Sequence, residues 1–227
     1  MTMSKPLSVA VILSGCGFQD GSEIHEAVCT LLALDQQGAH YQCFAPDMAQ
    51  ARVMNHYAQA EAPTETRNVL VESARIARGN IQPLANFQAE QFDALVMPGG
   101  FGAALNLSNF ATAGAQCAVQ ADVARAVSSM HQVGKPIGAL CIAPVILARL
   151  IPGARITIGQ DAATAAACQT MGAQHSNTGH GEVTVDADNR LVTTPCYMLD
   201  SRISQIHDGA QALVRELLKM ARPSRTA

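Results

Sequence analysis

The residue with the clearest chemical potential in this sequence is a cysteine between a short apolar run and a helical pattern. Cys141 directly follows the segment PIGAL and precedes the segment IAPVILARL. A nucleophile on a sharp strand-to-helix turn needs small neighbours, and Gly138, Ala139 and Ala143 are small, while Pro144 suits the first turn of a helix. The helix N-terminus would lower the pKa of the thiol. The alternative is a buried structural cysteine at the end of a strand.

Two backbone N–H groups could stabilise an oxyanion that forms when this cysteine attacks a substrate. One is the N–H of Ile142, directly after Cys141. The other would come from Gly100 in the loop PGGFG at 98–102, where glycines permit a close approach of the backbone. A plain turn and a phosphate loop are the alternatives. The loop fits neither the GxGxxG nor the GxxxxGK[ST] pattern, so nucleotide binding is weakly supported.

Glu23 is the candidate acid or base. It follows the first apolar run and begins the first helical pattern, so its carboxyl group could lie beside Cys141 and move a proton. The segment DGSE at 20–23 also resembles a capping box, which gives Glu23 a purely structural alternative. Glu26, further along the same helix, is expected to face solvent or an interface.

These candidates are positioned by alternating strand and helix patterns, which favour a doubly wound α/β fold with a mostly parallel sheet flanked by helices. The runs VAVIL, DALVMP and IGAL are continuously apolar, as in strands buried on both faces. The predicted strands are 7–13, 40–45, 94–97, 136–140 and 156–158. The predicted helices are 23–37, 66–78, 118–133, 142–150, 164–171 and 203–220. A small late β-hairpin is predicted from 182–186 and 191–194. In such sheets the site forms at the carboxyl ends of the strands.

The composition limits the classes of function. The 227 residues are 48% hydrophobic and 15% charged, with a net charge of −3, which is typical of a soluble globular protein of one domain, 1–227. No basic patch indicates nucleic-acid binding, and no apolar run reaches the ~18 residues of a membrane span. The N-terminal segment is too short and polar for a signal peptide, so a cytoplasmic location is predicted.

The cysteines are odd in number and irregular in spacing, and no CxxC pair occurs among them, so neither a disulfide framework nor a zinc site is predicted. They are Cys16, Cys29, Cys43, Cys117, Cys141, Cys168 and Cys196. Most are expected to pack as small hydrophobic residues. Cys16 could be a second redox thiol near the site or a packing residue between glycines, and Cys196 is similar.

Nearly the whole chain resembles the DJ-1/PfpI superfamily of class I glutamine amidotransferase-like folds. Within it, the closer resemblance is to the ElbB branch, the enhancing lycopene biosynthesis protein 2 type. The segments that carry the resemblance are 13–17, 20–27, 64–70, 98–104, 106–110, 134–138, 141–144 and 192–195.

The resemblance implies a flavodoxin-like sandwich, a homodimer, Cys141 as nucleophile and Glu23 as a site residue. It also implies a glutathione-independent glyoxalase activity, a lyase reaction that converts the small dicarbonyl glyoxal to glycolate without a metal or other cofactor. Gly99 and Asn68 complete the predicted substrate-binding set with Gly100 and Ile142. Asn68 could instead merely open a helix.

The sequence departs from the superfamily pattern in its histidines. Ile142 stands where several members have a histidine after the nucleophile, so a Cys-His-Glu triad is not evident. His180 and Glu182 have the spacing of an amidotransferase pair, but Glu182 starts a predicted strand, whereas a triad pair should follow a strand's end. Two other functions therefore stay open. One is a redox or stress sensor with an oxidisable Cys141, and the other is a glutaminase subunit, against which the missing histidine argues.

Overall fold

Strands and helices alternate along residues 5–222, the part of the chain that the computed structural model describes. The strands are β1 (Ser8–Ile12), β2 (His40–Ala45), β3 (Met54–Asn55), β4 (Ala60–Glu61), β5 (Ile81–Pro83), β6 (Ala94–Met97), β7 (Ile137–Leu140), β8 (Arg155–Ile156), β9 (Gln174–His175), β10 (Thr184–Asp186) and β11 (Leu191–Thr194). The α-helices are α1 (Ile24–Gln36), α2 (Val69–Ile76), α3 (Phe101–Leu105), α4 (Phe110–Ala113), α5 (Ala121–Gln132), α6 (Pro144–Leu150), α7 (Ala162–Thr170) and α8 (Ile203–Ala221).

The central sheet has seven strands in the order β10-β11-β7-β6-β1-β2-β5. All neighbours in this sheet are parallel except β10, which pairs antiparallel with β11 as a hairpin. The strand order reverses direction between β1 and β6, and the loops after β1, β6 and β7 emerge at the same edge. An open α/β sheet binds its ligands at such a point.

Helices cover both faces of the sheet because alternate side chains of each strand point to opposite faces. Ala10 and Ile12 of β1 belong to a core that includes α5 and α6. Val9 and Val11 belong to the opposite core, which includes α1 and α8. The predicted flavodoxin-like α/β fold, with its mostly parallel sheet and late hairpin, is confirmed.

Several predicted boundaries were too wide. The predicted helix 142–150 begins at Pro144, since the residues after β7 first form a turn. The predicted strand 156–158 is the two-residue β8, which pairs with β9 outside the main sheet. The first hairpin strand starts at Thr184 instead of residue 182. The edge strand β5 and the short helices α3 and α4 were not predicted. No helix within residues 5–222 has the length and apolar character needed to cross a membrane.

Candidate active site

Cys141 lies on a tight turn between β7 and α6. Its backbone adopts a φ of 60°, in the left-handed region that non-glycine residues rarely occupy, and its N–H donates to the Thr194 carbonyl at 2.9 Å. Strained backbone of this kind persists only where the surroundings hold it in place, and it is common at functional sites. The side chain is almost fully buried, with 7% of its surface exposed.

Two backbone N–H groups, those of Gly100 and Ile142, hydrogen-bond to the Cys141 sulfur. Gly100 has a φ of 93° and packs so closely on the loop before α1 that a Cβ would lie 2.7 Å from the Ser22 carbonyl carbon. A glycine is therefore required at this position. Both donors were predicted from the sequence, and the same groups could face an oxyanion on an attached substrate.

Gly99 has a different role from the substrate-binding one predicted for it. Its N–H donates to Glu26 Oε2 at 3.0 Å, so it is not directed to a substrate. A Cβ on Gly99 would overlap the Cys141 Cβ and lie 2.6 Å from Glu26 Oε2. Gly99 thus lets the β6 loop pack directly on the cysteine and the acid.

The carboxyl group in contact with Cys141 belongs to Glu26, which was predicted to face solvent or an interface. Glu26 is fully buried. Its Oε2 accepts from the Gly99 N–H, its Oε1 accepts from the Tyr197 N–H at 3.1 Å, and its carboxyl group shares a hydrogen bond with the Cys141 side chain. Burial raises the Glu26 pKa from its usual value to about 8.

A signal for Glu26 was present in the sequence. The buried residues of α1 are Glu26, Ala27, Cys29, Thr30, Ala33 and Leu34. Most of them recur at helical spacing, and Glu26 is the only acid among them. An acidic residue in the apolar stripe of a helix needs partners inside the protein, which singles it out as a site candidate.

Glu23 has a structural role, but it is the N-cap of α1 itself and not the third helical residue of a capping box begun by Asp20. Its Oε2 accepts the Glu26 N–H at 2.7 Å. Its side chain, 12% exposed, also lines the cavity above Cys141. Burial raises its pKa. The prediction that Glu23 is the acid beside the sulfur is therefore wrong, because Glu26 occupies that position. Glu23 lines the same cavity, further from the sulfur.

The pKa of the Cys141 thiol departs from its usual value in the direction opposite to the prediction. Burial raises the pKa, and the nearby Glu26 carboxylate raises it further, whereas the Gly100 and Ile142 N–H groups lower it. A helix N-terminus alone predicted a lowered value. The physical reason for the difference is that the sulfur is buried beside a group of like charge.

A cavity of about 410 Å³ opens above the sulfur. Its lining residues come from the loops and helices that follow β1, β6, β7 and β8 and from the segment after β11. They are Phe18, Glu23, Gly100, Phe101, Ala104, Phe110, Ala111, Cys141, Ile142, Asp161, Thr164, Tyr197 and Met198. The walls are mostly apolar, and a few polar groups converge near the cysteine, which is the usual composition of a small-molecule site.

Asn68 is not part of this site, contrary to its predicted role in substrate binding. It is the N-cap of α2, where its Oδ1 accepts the Val71 N–H at 3.1 Å. Its Nδ2 donates to Asp47 Oδ1 at 2.8 Å. The structure thus supports the alternative that Asn68 opens a helix.

The rival pair His180 and Glu182 also lies elsewhere. His180 Nδ1 is 3.1 Å from Ser201 Oγ, and Glu182 Oε2 accepts the Gly179 N–H at 2.6 Å, so the two side chains do not form a catalytic dyad. Cys16 is half-buried near Glu72 and does not line the cavity. Among residues 5–222, no three His, Cys, Asp or Glu side chains are grouped so that they could hold a metal ion.

These features define a class: a flavodoxin-like α/β protein with a cysteine on a strand-to-helix turn, hydrogen-bonded to a buried glutamate. The chain belongs to the DJ-1/PfpI family, whose model matches residues 18–197. It is 47% identical, over 93% of this chain and 82% of the relative, to the Homo sapiens glutamine amidotransferase-like class 1 domain-containing protein 3, mitochondrial.

Solved structures show the same fold. A crystal structure of an isoprenoid biosynthesis protein with an amidotransferase-like domain from Ehrlichia chaffeensis has a TM-score of 0.89 and 36% identity, and the match covers 95% of this chain and 100% of that chain. Glyoxalase III from Candida albicans has a TM-score of 0.62 at 13% identity, over 94% of this chain and 97% of that one. The second likeness shows the fold alone.

The predicted cytoplasmic location is wrong on this comparison. The human relative is named as mitochondrial, and so are the ES1 protein homolog of Rattus norvegicus and the ES1 protein of Danio rerio. These names point to mitochondria. The prediction rested on a default rather than on a residue pattern that specifies a compartment, so it had no physical support of its own.

Proposed function

We propose that this protein is a glutathione-independent glyoxalase of the ElbB type, which converts glyoxal and water to glycolate through a covalent adduct on Cys141. The observation that carries the proposal is the hydrogen bond between Cys141 and the buried Glu26, below two N–H donors and at the floor of a cavity. This arrangement supplies a nucleophile, a proton carrier and an oxyanion site within one small volume.

The reaction balances without an external oxidant or reductant. The Cys141 thiolate adds to one aldehyde carbon of glyoxal, and protonation of the alkoxide gives a hemithioacetal. That carbon then loses its C–H proton and the second carbon gains one, while the hydroxyl proton moves from the first oxygen to the second, which yields a hydroxyacetyl thioester. Water cleaves the C–S bond, releases glycolate and restores the thiol. The sum is glyoxal plus water to glycolate plus a proton.

Glu26 is suited to carry the proton of the thiol. With a pKa of about 8, it is partly ionised at neutral pH, and its ionised fraction can accept the thiol proton. A protonated Glu26 removes the negative charge that opposes thiolate formation and donates a hydrogen bond to the sulfur. Glu23 faces the cavity with a pKa that burial also raises. It is suited to the later proton transfer between the two carbons of the adduct, and this is the role that we assign to it.

The redox-sensor alternative uses the same cysteine and differs in outcome, because a sensor is consumed by oxidation and an enzyme is not. The glutaminase alternative is weaker. Among the described residues that line the cavity, none is Lys, Arg or His, so no side chain there could bind the carboxylate of glutamine or act as a histidine base.

The test is glycolate formation from glyoxal by purified protein, with heat-treated protein as a blank for reactions of stray amines and thiols. Wild type should turn over many times, whereas Cys141→Ala and Glu26→Gln should each lose about 100-fold or more. Cys16→Ala is the matched control, since this thiol does not line the cavity, and it should retain the wild-type rate. Absence of product above the blank from wild type would refute the glyoxalase proposal.

A further inference from the structure

The cavity is larger than glyoxal requires and has an unusual wall. Glyoxal has only four heavy atoms, whereas the cavity measures about 410 Å³. Three phenyl rings line it, those of Phe18, Phe101 and Phe110, and the first two are each 48% exposed. Aromatic rings that stay exposed at the mouth of a cavity are available to a ligand, and a ring face attracts positive charge.

The carboxyl groups in the lining have one sign of charge and no counter-ion inside the cavity. Glu23 and Asp161 line it from different elements, the start of α1 and the N-cap of α7. Hydrogen bonds from Thr164 lower the pKa of Asp161, which keeps it ionised. Among the described lining residues there is no Lys, Arg or His to offset these charges.

Two basic side chains near the cavity, His25 and Arg52, lie outside the lining. His25 Nδ1 is 4.0 Å from Glu23 Oε1 and accepts from or donates to the Tyr197 hydroxyl at 2.8 Å. The Arg52 guanidinium is held by the Gln19 carbonyl, with its carbon 6.0 Å from the centre of the Phe101 ring. Phe101 thus already interacts with one cation from this chain, which shows that its setting suits cation–π contact.

We propose that the site selects carbonyl substrates that carry a positively charged amine or quaternary ammonium group, with the carbonyl carbon at Cys141 and the cation between the phenyl rings and the carboxylates of Glu23 and Asp161. This inference rests on the proposed function only in using the same cysteine as the attacking group. An anionic substrate of equal size would meet two like charges and three apolar rings, and it would lose its hydration without gaining a partner.

The experiment uses thiol reagents that differ in charge and need no turnover. Three methanethiosulfonates serve as probes: a trimethylammonium-ethyl, a sulfonato-ethyl and a neutral methyl reagent. In each, the thiolate attacks the sulfenyl sulfur, a disulfide forms, and methanesulfinate leaves. The rate at Cys141 is read from its own peptide by mass spectrometry, because the chain has seven cysteines. A short unstructured peptide with one cysteine gives the intrinsic ratio of the reagents.

We expect the cationic reagent to modify Cys141 faster than the anionic one by on the order of tenfold beyond the ratio in the reference peptide, since the two carboxyl groups that line the same cavity act on both reagents. Glu23→Gln and Asp161→Asn should each lower this excess, and both amides can still accept the N–H bonds that cap their helices. Glu90→Gln removes the same charge from an exposed position outside the cavity, and it should leave the excess unchanged.

The excess is the cationic-to-anionic rate ratio at Cys141 divided by the same ratio in the reference peptide. A value near one in wild type would overturn the proposal, and so would a value that neither cavity variant lowers. The proposed function would survive that result, because glyoxal is neutral and its turnover is measured separately. Conversely, a clear cation preference in a protein that makes no glycolate would retain the substrate class and refute only the glyoxalase reaction.

Discussion

Glu26 and Cys141 share a hydrogen bond although burial opposes ionisation of both. The pKa of Glu26 is raised to about 8, and burial and the Glu26 carboxylate both raise the pKa of the Cys141 thiol. Two acidic groups that interact this closely titrate as a pair, so the loss of the first proton makes the second harder to remove. The predictions on reactivity and pH follow from this coupling.

The stability of the fold should decrease as pH rises because of Glu26. Its pKa is raised in the folded protein, so its contribution is fully present below the unfolded value near 4.5 and is lost as pH approaches about 8. A fully buried group with this shift contributes on the order of 4–5 kcal/mol. Urea unfolding of wild type at pH 5 to 8 should show this loss.

Glu26→Gln should remove that pH dependence, since an amide does not titrate. The amide presents only one acceptor to the N–H groups of Gly99 and Tyr197, so it should cost about 1–3 kcal/mol at low pH. Equal slopes for wild type and variant between pH 5 and 8 would contradict the raised pKa.

Glu26→Gln should also lower the pKa at which Cys141 becomes reactive. The variant removes a negative charge that raises the thiol pKa and keeps an N–H donor near the sulfur. The measurement is the rate of iodoacetamide alkylation at the Cys141 peptide from pH 6 to 10. Cys16 on the same protein is the internal control, since its raised pKa has burial and Glu72 as its largest causes. A midpoint that rises at Cys141 would show that the coupling has the opposite sign.

Gly99→Ala should damage the site more than an equivalent change elsewhere. A Cβ at residue 99 would overlap the Cys141 side chain and press on Glu26 Oε2. We expect a loss of about 1–3 kcal/mol in stability and of at least about 100-fold in activity. Gly179→Ala is the control, because there the new Cβ would meet nothing closer than Glu182 Oε2 at 3.5 Å. Similar losses in the two variants would mean that Gly99 has no special role.

Arg155 contacts two aspartates, Asp186 and Asp188, that should differ in how much they stabilise the fold. Asp186 is fully buried and accepts the Arg155 N–H at 2.8 Å and both Asn189 donors, whereas Asp188 is 83% exposed. Burial raises the Asp186 pKa, but these hydrogen bonds outweigh it, so the pKa is lowered. Asp186→Asn should cost roughly 2–3 kcal/mol at pH 7, and Asp188→Asn less than about 1 kcal/mol.

The sign of the Asp186 contribution gives a second measurement. Its lowered pKa means that its stabilisation is present above the unfolded value near 3.8 and is lost as pH falls further. The difference in unfolding free energy between wild type and Asp186→Asn should therefore shrink below pH 4. A difference that is constant from pH 3 to 7 would show that the charge of Asp186 does not matter.

The homodimer implied by the family resemblance stays a prediction. Ile24, Val28 and Leu32 recur every four residues on α1 and are 43%, 48% and 42% exposed, so they form an apolar stripe beside the cavity. We expect a second copy of the chain to cover it. Sedimentation should give a dimer for wild type and a monomer for Val28→Glu. Val133→Glu, at a site of similar exposure after α5 on the opposite face, should remain dimeric, and a monomeric wild type would refute the prediction.

The sheet was predictable because β1, β6 and β7 are continuously apolar and bounded by glycine loops. The position of Cys141 followed from the same pattern, since it is the first residue after β7. The identity of the acid did not follow. Glu23 directly precedes α1, and Glu26 lies in its first turn. Only the packing of the β6 loop decides which of the two carboxyl groups reaches the sulfur.

The direction of the Cys141 pKa shift depends on burial and on that neighbour, neither of which local spacing records. The short helices α3 and α4 have only five and four residues, too few for a helical period to be recognised. Asn68 was misassigned because an N-cap and a substrate-binding amide use the same residue type, and only the position of Asp47 and Val71 distinguishes them.

The partners of Glu26 lie far along the chain. Its two oxygens are held by N–H groups 73 and 171 positions away. Contacts of such high sequence separation form only after long loops have closed, which is among the slow events of folding. A nascent or partly folded chain therefore has a thiol at residue 141 without its acid and without its pair of N–H donors. The surroundings that bury this sulfur and raise its pKa are acquired only when the sheet is complete. The rate at which the thiol loses its unfolded-state reactivity during refolding would therefore report the final tertiary step directly.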